Sequence, residues 1–285
     1  MKNVLRTLVY DKQVSLTLAD TTEMVRTGMR LHDLSTCSAA VFGRALSVMT
    51  FMSACLKGER GEISLSTKSD GLGGEIAVSG NRNLYLRGFI SSTNVAGGAD
   101  ENSQKACFGE TGSLTIIRDD GYSRPFVGAC AYPENADVDS AFEEYFRISE
   151  QLPTRIKTTV EFDENGDLVF AGIAVLQPLP FADEVTLEKV FNADMVALLQ
   201  AIKMDGVQKT AEENFDCSAD VWEIRGAMYK CNCSRKYLGG VLVSLGEEQM
   251  REIIREDGAV RVHCHYCNTD YEFTDEDADK LFPKH

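Results

Sequence analysis

The sequence predicts an α+β chain in three parts. They are an N-terminal mixed domain with mostly antiparallel sheets and helices over residues 1–180, a helical and polar linker over 181–228, and a small C-terminal module with four cysteines over 229–285. Three observations carry this. Short alternating apolar runs separated by turn residues follow two helical stretches. The run Gln177-Pro178-Leu179-Pro180 interrupts the chain before a long amphipathic segment. Two tight cysteine pairs stand near the end.

The elements follow in order. Thr21 to Leu31 reads as a helix, with Thr21 or Thr22 as cap, Val25 and Met29 four apart, and Met24 and Leu31 seven apart; Gly28 in its middle is an unfavourable helix residue. Ala39 to Lys57 carries Val41, Leu46, Met49, Phe51 and Met52 with few charges, the pattern of a largely buried helix. Strands are expected at Glu62–Thr67, Glu75–Val78, Asn83–Phe89, Ser113–Arg118 and Phe126–Tyr132. Ser69-Asp70-Gly71, Gly97-Gly98 and Asp119-Asp120-Gly121 supply turns between them. Asp137 to Gln151 looks helical, and Asp163–Asp167 closes a hairpin between Thr158–Phe162 and Leu168–Ala171.

After the proline break, Leu187, Val190, Phe191, Met195, Leu198, Leu199 and Ile202 fit one helical face ending near Gly206. Asp205 to Asp220 is polar and poorly periodic, the composition of a connecting segment. Beyond Tyr229, Glu247–Glu256 suits a short helix closed by Gly258. Val260 and Val262 suggest a strand leading into the second cysteine pair. Thr274-Asp275-Glu276-Asp277 resembles a capping box opening a last helix to Phe282.

Composition narrows the function. The 285 residues are 44% hydrophobic, enough for a packed core, and carry a formal net charge of −15. That charge opposes binding to a nucleic-acid backbone or an anionic membrane. The start, Met1 to Asp11, lacks the long apolar stretch of a secretory signal, and the longest uncharged runs, Ala45–Leu56 and Leu168–Ala182, are too short to span a bilayer. The expected address is the cytoplasm.

Nine cysteines are unusual there, because stable disulfides are rare among reduced cytosolic thiols. Cys37, Cys55, Cys107, Cys130 and Cys217 are scattered singly and read as small buried hydrophobes. Cys231-Asn232-Cys233 and Cys264-His265-Tyr266-Cys267 are paired. Four sulfurs in two chelating pairs suit tetrahedral Zn²⁺, and the intervening helix and strand bring the pairs together. Four thiolates on the ion carry a formal charge of −2, which Lys230, Arg235 and Lys236 are placed to offset. His263 and His265 are candidate competing ligands; full sulfur ligation is the simpler reading, with the histidines flanking the site. On the pattern alone two readings stand: a permanent zinc staple for a module too small to hold itself, or a redox switch in which disulfide formation removes the ligands.

Other features point nowhere further. His32 near Cys37 has no companions for catalysis. Gly71-Leu72-Gly73-Gly74 lacks the residues of a phosphate loop and reads as a turn. Trp222 and the methionines fit packing. No Cys-x-x-Cys opens a helix after a strand, as thiol oxidoreductase chemistry in a thioredoxin-like unit needs.

Taken together, the motifs resemble the heat shock protein 33 chaperones. The likeness lies in Cys231-Asn-Cys-Ser-Arg-Lys, Ser244-Leu-Gly246, Val262-His-Cys-His-Tyr-Cys-Asn268 and Tyr271-Glu-Phe273. It extends to Leu31-His32, Phe42-Gly-Arg44, Leu56-Lys-Gly58, Ser69-Asp-Gly71, Leu86-Arg-Gly88, Gly112-Ser-Leu-Thr115, Tyr145-Phe-Arg-Ile-Ser-Glu-Gln151 and Gln177-Pro-Leu-Pro180, so it covers nearly the whole chain. Met204 to Tyr229 is shorter and more polar than the usual linker of that family.

The resemblance implies an ATP-independent holdase, not an enzyme. Its reduced form would be inactive and hold one Zn²⁺ on Cys231, Cys233, Cys264 and Cys267. Oxidation would form disulfides Cys231–Cys233 and Cys264–Cys267, with the second pair sensing peroxide first, and would unfold the module and linker. The implied partners are unfolded or partly unfolded client proteins and, on oxidative activation, a second copy of the chain. A constitutive zinc-ribbon interaction module and a thiol oxidoreductase are the alternatives.

Overall fold

The computed structural model of the chain describes residues 2–283. It divides into two compact units, Met1–Lys230 and Cys231–His285.

The first unit is built on two sheets. One has β1 (Val4–Val9), β2 (Val14–Asp20), β8 (Arg155–Phe162), β9 (Leu168–Pro178) and β10 (Trp222–Arg225) in the order β10-β1-β2-β9-β8. All its pairings are antiparallel. The other contains β3 (Glu62–Ser69), β4 (Ile76–Asn81), β5 (Tyr85–Ile90), β6 (Gly112–Asp119), β7 (Phe126–Ala131) and β11 (Met228–Tyr229) in the order β11-β5-β4-β3-β6-β7. Only the short β11–β5 pairing is parallel. The α+β class with mainly antiparallel sheets is therefore the one expected, and the five strands anticipated from alternation coincide with β3 to β7.

Helix α2 (Thr36–Ala54) forms the heart of the principal core. Every residue in it except Thr36 and Arg44 is buried. The helix is long and apolar enough to cross a membrane by composition alone, yet 94% of that stretch is buried inside the fold. Its Val41, Phe42, Leu46, Met49 and Phe51 pack with Ile63, Val78 and Leu86 of one sheet and Ile156, Val160 and Ile173 of the other. Helix α1 (Thr22–His32) crosses α2 closely. A Cβ on Gly28 would stand 2.8 Å from Phe42 Cε1, and one on Gly43 2.8 Å from Val25 Cγ1. The mid-helix glycine is thus a packing requirement. Thr21 is the N-cap residue, as one of the two expected, but its side chain makes no cap bond: Thr21 Oγ1 lies 2.6 Å from Ser47 Oγ in the core, and Asp20 Oδ1 accepts from the Thr22 N–H at 2.9 Å.

Three further elements frame this core. Helix α3 (Glu101–Phe108) was not evident in the polar sequence around it. The expected Asp137–Gln151 helix is α4 (Val138–Tyr145) followed by a π-helical turn, Phe146–Glu150. That turn brings Glu150 back within 2.9 Å of Tyr145 Oη and onto Arg118.

The segment expected as a linker builds a second core. The anticipated single helix is two, α5 (Glu184–Phe191) and α6 (Met195–Asn214), because Asp194 caps a new start by accepting from the Ala197 N–H at 2.9 Å. Val190, Met195, Leu198, Leu199 and Ile202 cover Leu5, Val14, Leu16, Leu18, Phe170 and Leu176 of the first sheet. The expected end at Gly206 is a kink (φ 79°), not a terminus. The chain resumes as helix to Asn214, with Val207 and Ala211 buried in the same core. The polar stretch after Asp205 hid this, because only one side of it is apolar. Residues 181–228 therefore complete the first unit's sheet and core, and β10 and β11 then form one edge strand of each sheet.

The second unit contains α7 (Arg235–Leu245), α8 (Glu247–Asp257), the hairpin β12 (Val260–Cys264) and β13 (Thr269–Phe273), and α9 (Asp275–Leu281). Helix α7 was not anticipated. Its Gly239-Gly240 pair weakens the local signal, but a Cβ at Gly239 would sit 3.1 Å from Leu281 Cδ2, so close packing on α9 selects glycine. The α9 cap is as expected: the Asp277 carboxylate accepts from the Thr274 N–H at 2.9 Å.

Candidate metal centre

The second unit's apolar core is small. Leu242, Met250, Ile254, Val260, Phe273 and Ala278 are its buried members. Burying a full aliphatic side chain contributes on the order of 2 kcal/mol, which the ordering entropy of so many residues largely offsets. A unit of this size ordinarily needs a staple.

The cysteines stand where a staple belongs. Cys264 ends β12, and Cys267 follows in the turn to β13. The Cys267 and Asn268 N–H groups donate to the Cys264 carbonyl at 3.2 and 2.8 Å, and Asn268 takes the left-handed conformation that closes the turn (φ 52°). Cys231 and Cys233 lie on the extended stretch before α7. Ser234 ends that stretch, its Oγ accepting from the Tyr237 N–H at 3.1 Å.

The four sulfurs all lie within 4.8 Å of one another. Cys231 and Cys264 Sγ are 3.7 Å apart, and Cys233 and Cys267 Sγ 3.2 Å apart. Sulfurs arranged tetrahedrally at about 2.3 Å from one Zn²⁺ are about 3.8 Å from each other, so the donor set fits this ion in number, chemistry and spacing. Among the described residues no histidine joins this group. His263 Nδ1 pairs with Asp270 Oδ1 at 2.7 Å and its ring meets His265 edge-on.

The surroundings tune the thiols. Burial, with Cys233 and Cys264 beside it, drives the Cys231 thiol upward. Burial also holds Cys267 up at about 11. Cys233 is partly buried too, but hydrogen bonds from Tyr271 and then from the neighbouring thiols outweigh that and bring it down to about 7. The metal-free cluster thus gives up one proton readily and holds others, whereas a central cation stabilises all four thiolates. Tyr271 Oη, 3.2 Å from Cys233 Sγ, and Thr269 Oγ1, 3.3 Å from Cys267 Sγ, are partners that spacing did not reveal. Their signal lay in the alternation of β13, which puts 269, 271 and 273 on one face.

Two of the expected cations are engaged elsewhere. Arg235 bonds Asp277 at 2.6 Å and covers the Phe273 ring, and Lys230 sits 4.1 Å from the Tyr85 ring centre in the first unit.

Comparison with known proteins decides the family. The profile of the Hsp33 protein family matches residues 2–274. The chain belongs to the Hsp33 family. Among relatives, the 33 kDa chaperonin of Clostridium perfringens (strain SM101) is 30% identical over 289 residues, covering 98% of this chain and 90% of that protein. The 33 kDa chaperonin of Bacillus cytotoxicus is 29% identical, covering 99% of both. The crystal structure of the Thermotoga maritima 33 kDa chaperonin superposes with a TM-score of 0.82 over 98% of this chain and 97% of that one, at 22% identity, and so shares the fold. As an Hsp33 chain the protein is a chaperone, not an enzyme; it acts by binding other proteins.

Proposed function

We propose that this Hsp33 chain is a redox-regulated, ATP-independent holdase, silent while reduced and metal-bound and active once oxidised. The observation that carries this reading is the convergence of four thiols within 4.8 Å in a unit whose own apolar core is too small to hold it. Cys231, Cys233, Cys264 and Cys267 hold one Zn²⁺ in the resting state. Zinc, when bound, would cross-link the stretch before α7 to the β12–β13 turn and keep its ligands as thiolates.

Peroxide takes two electrons from each cysteine pair. One sulfur displaces water from the oxidant as a sulfenic acid, and its neighbour displaces the second water to form the disulfide. Cys264–Cys267 and Cys231–Cys233 are the pairs formed, as in the family. Each disulfide withdraws two sulfurs from coordination, and a module whose folding energy is binding energy then unfolds.

The adjoining segment explains how this creates a binding surface. Helices α5 and α6 lie over Leu5, Leu16, Leu18 and Phe170. A large apolar surface is kept covered at rest because exposure invites aggregation. Releasing 181–228 uncovers the sheet and the helix faces together, offering unfolding client proteins a broad apolar surface and two activated copies a shared one. The cytoplasm, with its reducing thiol pool, sets the resting state.

The test follows zinc release with a chromogenic chelator and aggregation of a thermally unfolding protein, before and after peroxide with warming. Release of one zinc per chain together with the onset of protection is the expected result. Equal protection in both states overturns the switch and leaves a constitutive zinc-ribbon module in its place.

A further inference from the structure

The five cysteines outside the cluster are not all isolated. Cys37, in the first turn of α2, and Cys107, in the last turn of α3, lie in one buried cluster where these two helices meet, seventy positions apart in sequence. Both are buried, at 0% and 1% exposure. Cys37 Sγ also donates to the Ser103 carbonyl at 3.3 Å. The glycine turn at residues 71–74 packs against Cys107. The Gly73 N–H donates to the Cys107 carbonyl at 2.8 Å, and a Cβ on Gly73 would lie 2.9 Å from Cys107 Sγ. The run that superficially resembles a phosphate loop is thus a packing turn against Cys107.

What covers the pair is slight. Helix α3 is a single eight-residue segment, entered after Gly97 (φ +122°) and left at Gly109 (φ +98°). Helices this short are marginal unless packed. Cavities of about 370 and 350 Å³ lie against it, the first bounded by Glu101, Gln104 and Phe108, the second by Asn102, Ala106 and Gly109. Asp100 holds its start, accepting from the Ser103 N–H at 3.1 Å and the Ser103 hydroxyl at 2.6 Å. Helix α3 carries Cys107 itself and the carbonyl that Cys37 bonds, so it is the cover common to both sulfurs.

We propose that Cys37 and Cys107 are a second, metal-independent redox pair, oxidised to a disulfide by hydroperoxides when α3 opens. The first thiolate attacks the peroxide, forming S–O and breaking O–O with loss of hydroxide. The second sulfur then attacks the sulfenic acid, forming S–S and breaking S–O with loss of water. Two thiols and one hydrogen peroxide give one disulfide and two waters. Burial keeps both thiols protonated in the closed state, pushing Cys107 up to about 12, so the native pair is unreactive and opening of α3 gates the reaction. The bond then ties α3 to α2 and closes a long loop in the unfolded chain, which stabilises the first unit against heat.

The experiment maps cysteine-linked peptides by mass spectrometry in full-length, zinc-loaded protein treated with hydrogen peroxide at two temperatures below the first unit's unfolding transition. Zinc release is followed in the same samples. The Cys37–Cys107 peptide is expected to accumulate faster at the higher temperature. Asp100→Ala is expected to accelerate it about fivefold at either temperature, the change in an opening equilibrium that losing a helix cap produces. Cys107→Ser is expected to leave Cys37 without a disulfide partner while zinc release proceeds as before. Absence of the linked peptide where zinc has been released overturns the proposal without touching the zinc switch, as does a rate indifferent to Asp100→Ala.

Discussion

The Tyr229 hydroxyl donates to the Gly88 carbonyl at 2.7 Å and accepts from the Gly88 N–H at 3.2 Å, so one side chain satisfies both backbone groups of a residue on β5. His32 Nε2 joins the same oxygen at 3.0 Å. A Cβ on Gly88 would stand 2.7 Å from the Ala77 carbonyl and 2.9 Å from Phe42 Cε2, which is why the residue met here is glycine. Tyr229 closes the first unit one residue before its last member, Lys230.

Removing that oxygen strips two partly buried backbone groups of a partner, a cost of about 1–3 kcal/mol. Tyr229→Phe is therefore expected to lower the urea midpoint of the first unit. It should also speed amide exchange at Met228 and Lys230, which donate to Leu84 and Leu86. Exchange measured residue by residue by NMR checks this, and unchanged protection at both amides contradicts it.

The covering helix offers a second prediction. Ile202 is 1% exposed on the face of α6 that meets the first sheet. Ile202→Asp places an unpaired carboxylate there, a change that costs several kcal/mol and is relieved by detaching the helix. The reduced, zinc-loaded variant is expected to suppress aggregation of a heat-denatured protein without oxidant. If it is as silent as the parent, the sheet beneath α6 is not the client surface.

Cys267→Ser removes one of four thiolates. Zinc retention against a competing chelator is expected to fall by orders of magnitude, since each ligand carries a share of an apparent ~10–16 kcal/mol. The helical signal of α7 to α9 should fall with it. Titration with a chromogenic chelator and far-ultraviolet dichroism report both.

Buried Asp139 faces the partly buried Arg44 in the first unit. Arg44 Nη1 lies 3.4 Å from Asp139 Oδ2 and donates to the Thr158 carbonyl at 2.8 Å, while Lys157 Nζ lies 3.2 Å from the same carboxylate. Asp139→Ala leaves the partly buried Arg44 without its anion and the Thr158 N–H without its acceptor, and is expected to destabilise the unit by about 1–3 kcal/mol in urea unfolding.

Acid acts at the start of α5. The Thr186 N–H donates to Asp183 Oδ1 at 2.7 Å, and this bond, followed by those to the Thr186 hydroxyl and Gln13, holds the Asp183 carboxyl below its ordinary 3.8. A depressed carboxylate contributes stability that is present above the ordinary value and is lost as pH falls through the native one. Amide protection across Glu184–Phe191 is expected to be complete above pH 3.8 and to decline below it. Hydrogen exchange at stepped pH measures this, and Asp183→Asn should flatten that dependence.

Much of this molecule was legible in its residues. The strands β3 to β7 alternate with period two, and α2 is apolar all round; both signals are local and survive any tertiary context. The cysteine pairs were legible for the same reason, because chelation demands short spacing. Helix α3 and helix α7 were not, since one is polar and the other carries Gly239-Gly240, and both owe their form to packing. The continuation of α6 past Gly206 was hidden because a positive-φ glycine reads as an end, and only Val207 and Ala211 finding the sheet shows otherwise.

By itself, then, the sequence determined which four cysteines would come together in the C-terminal module, the α+β class, and the presence of amphipathic helical structure after the proline break. Tertiary structure alone decided that these helices cover β1, β2 and β9, that residues 222–229 form an edge strand of each sheet, and that Cys37 and Cys107 share the buried contact of α2 with α3. Periodicity and motif spacing are properties of neighbours along the chain. Contacts between distant segments depend on how whole surfaces fit, and no short window of residues contains that information.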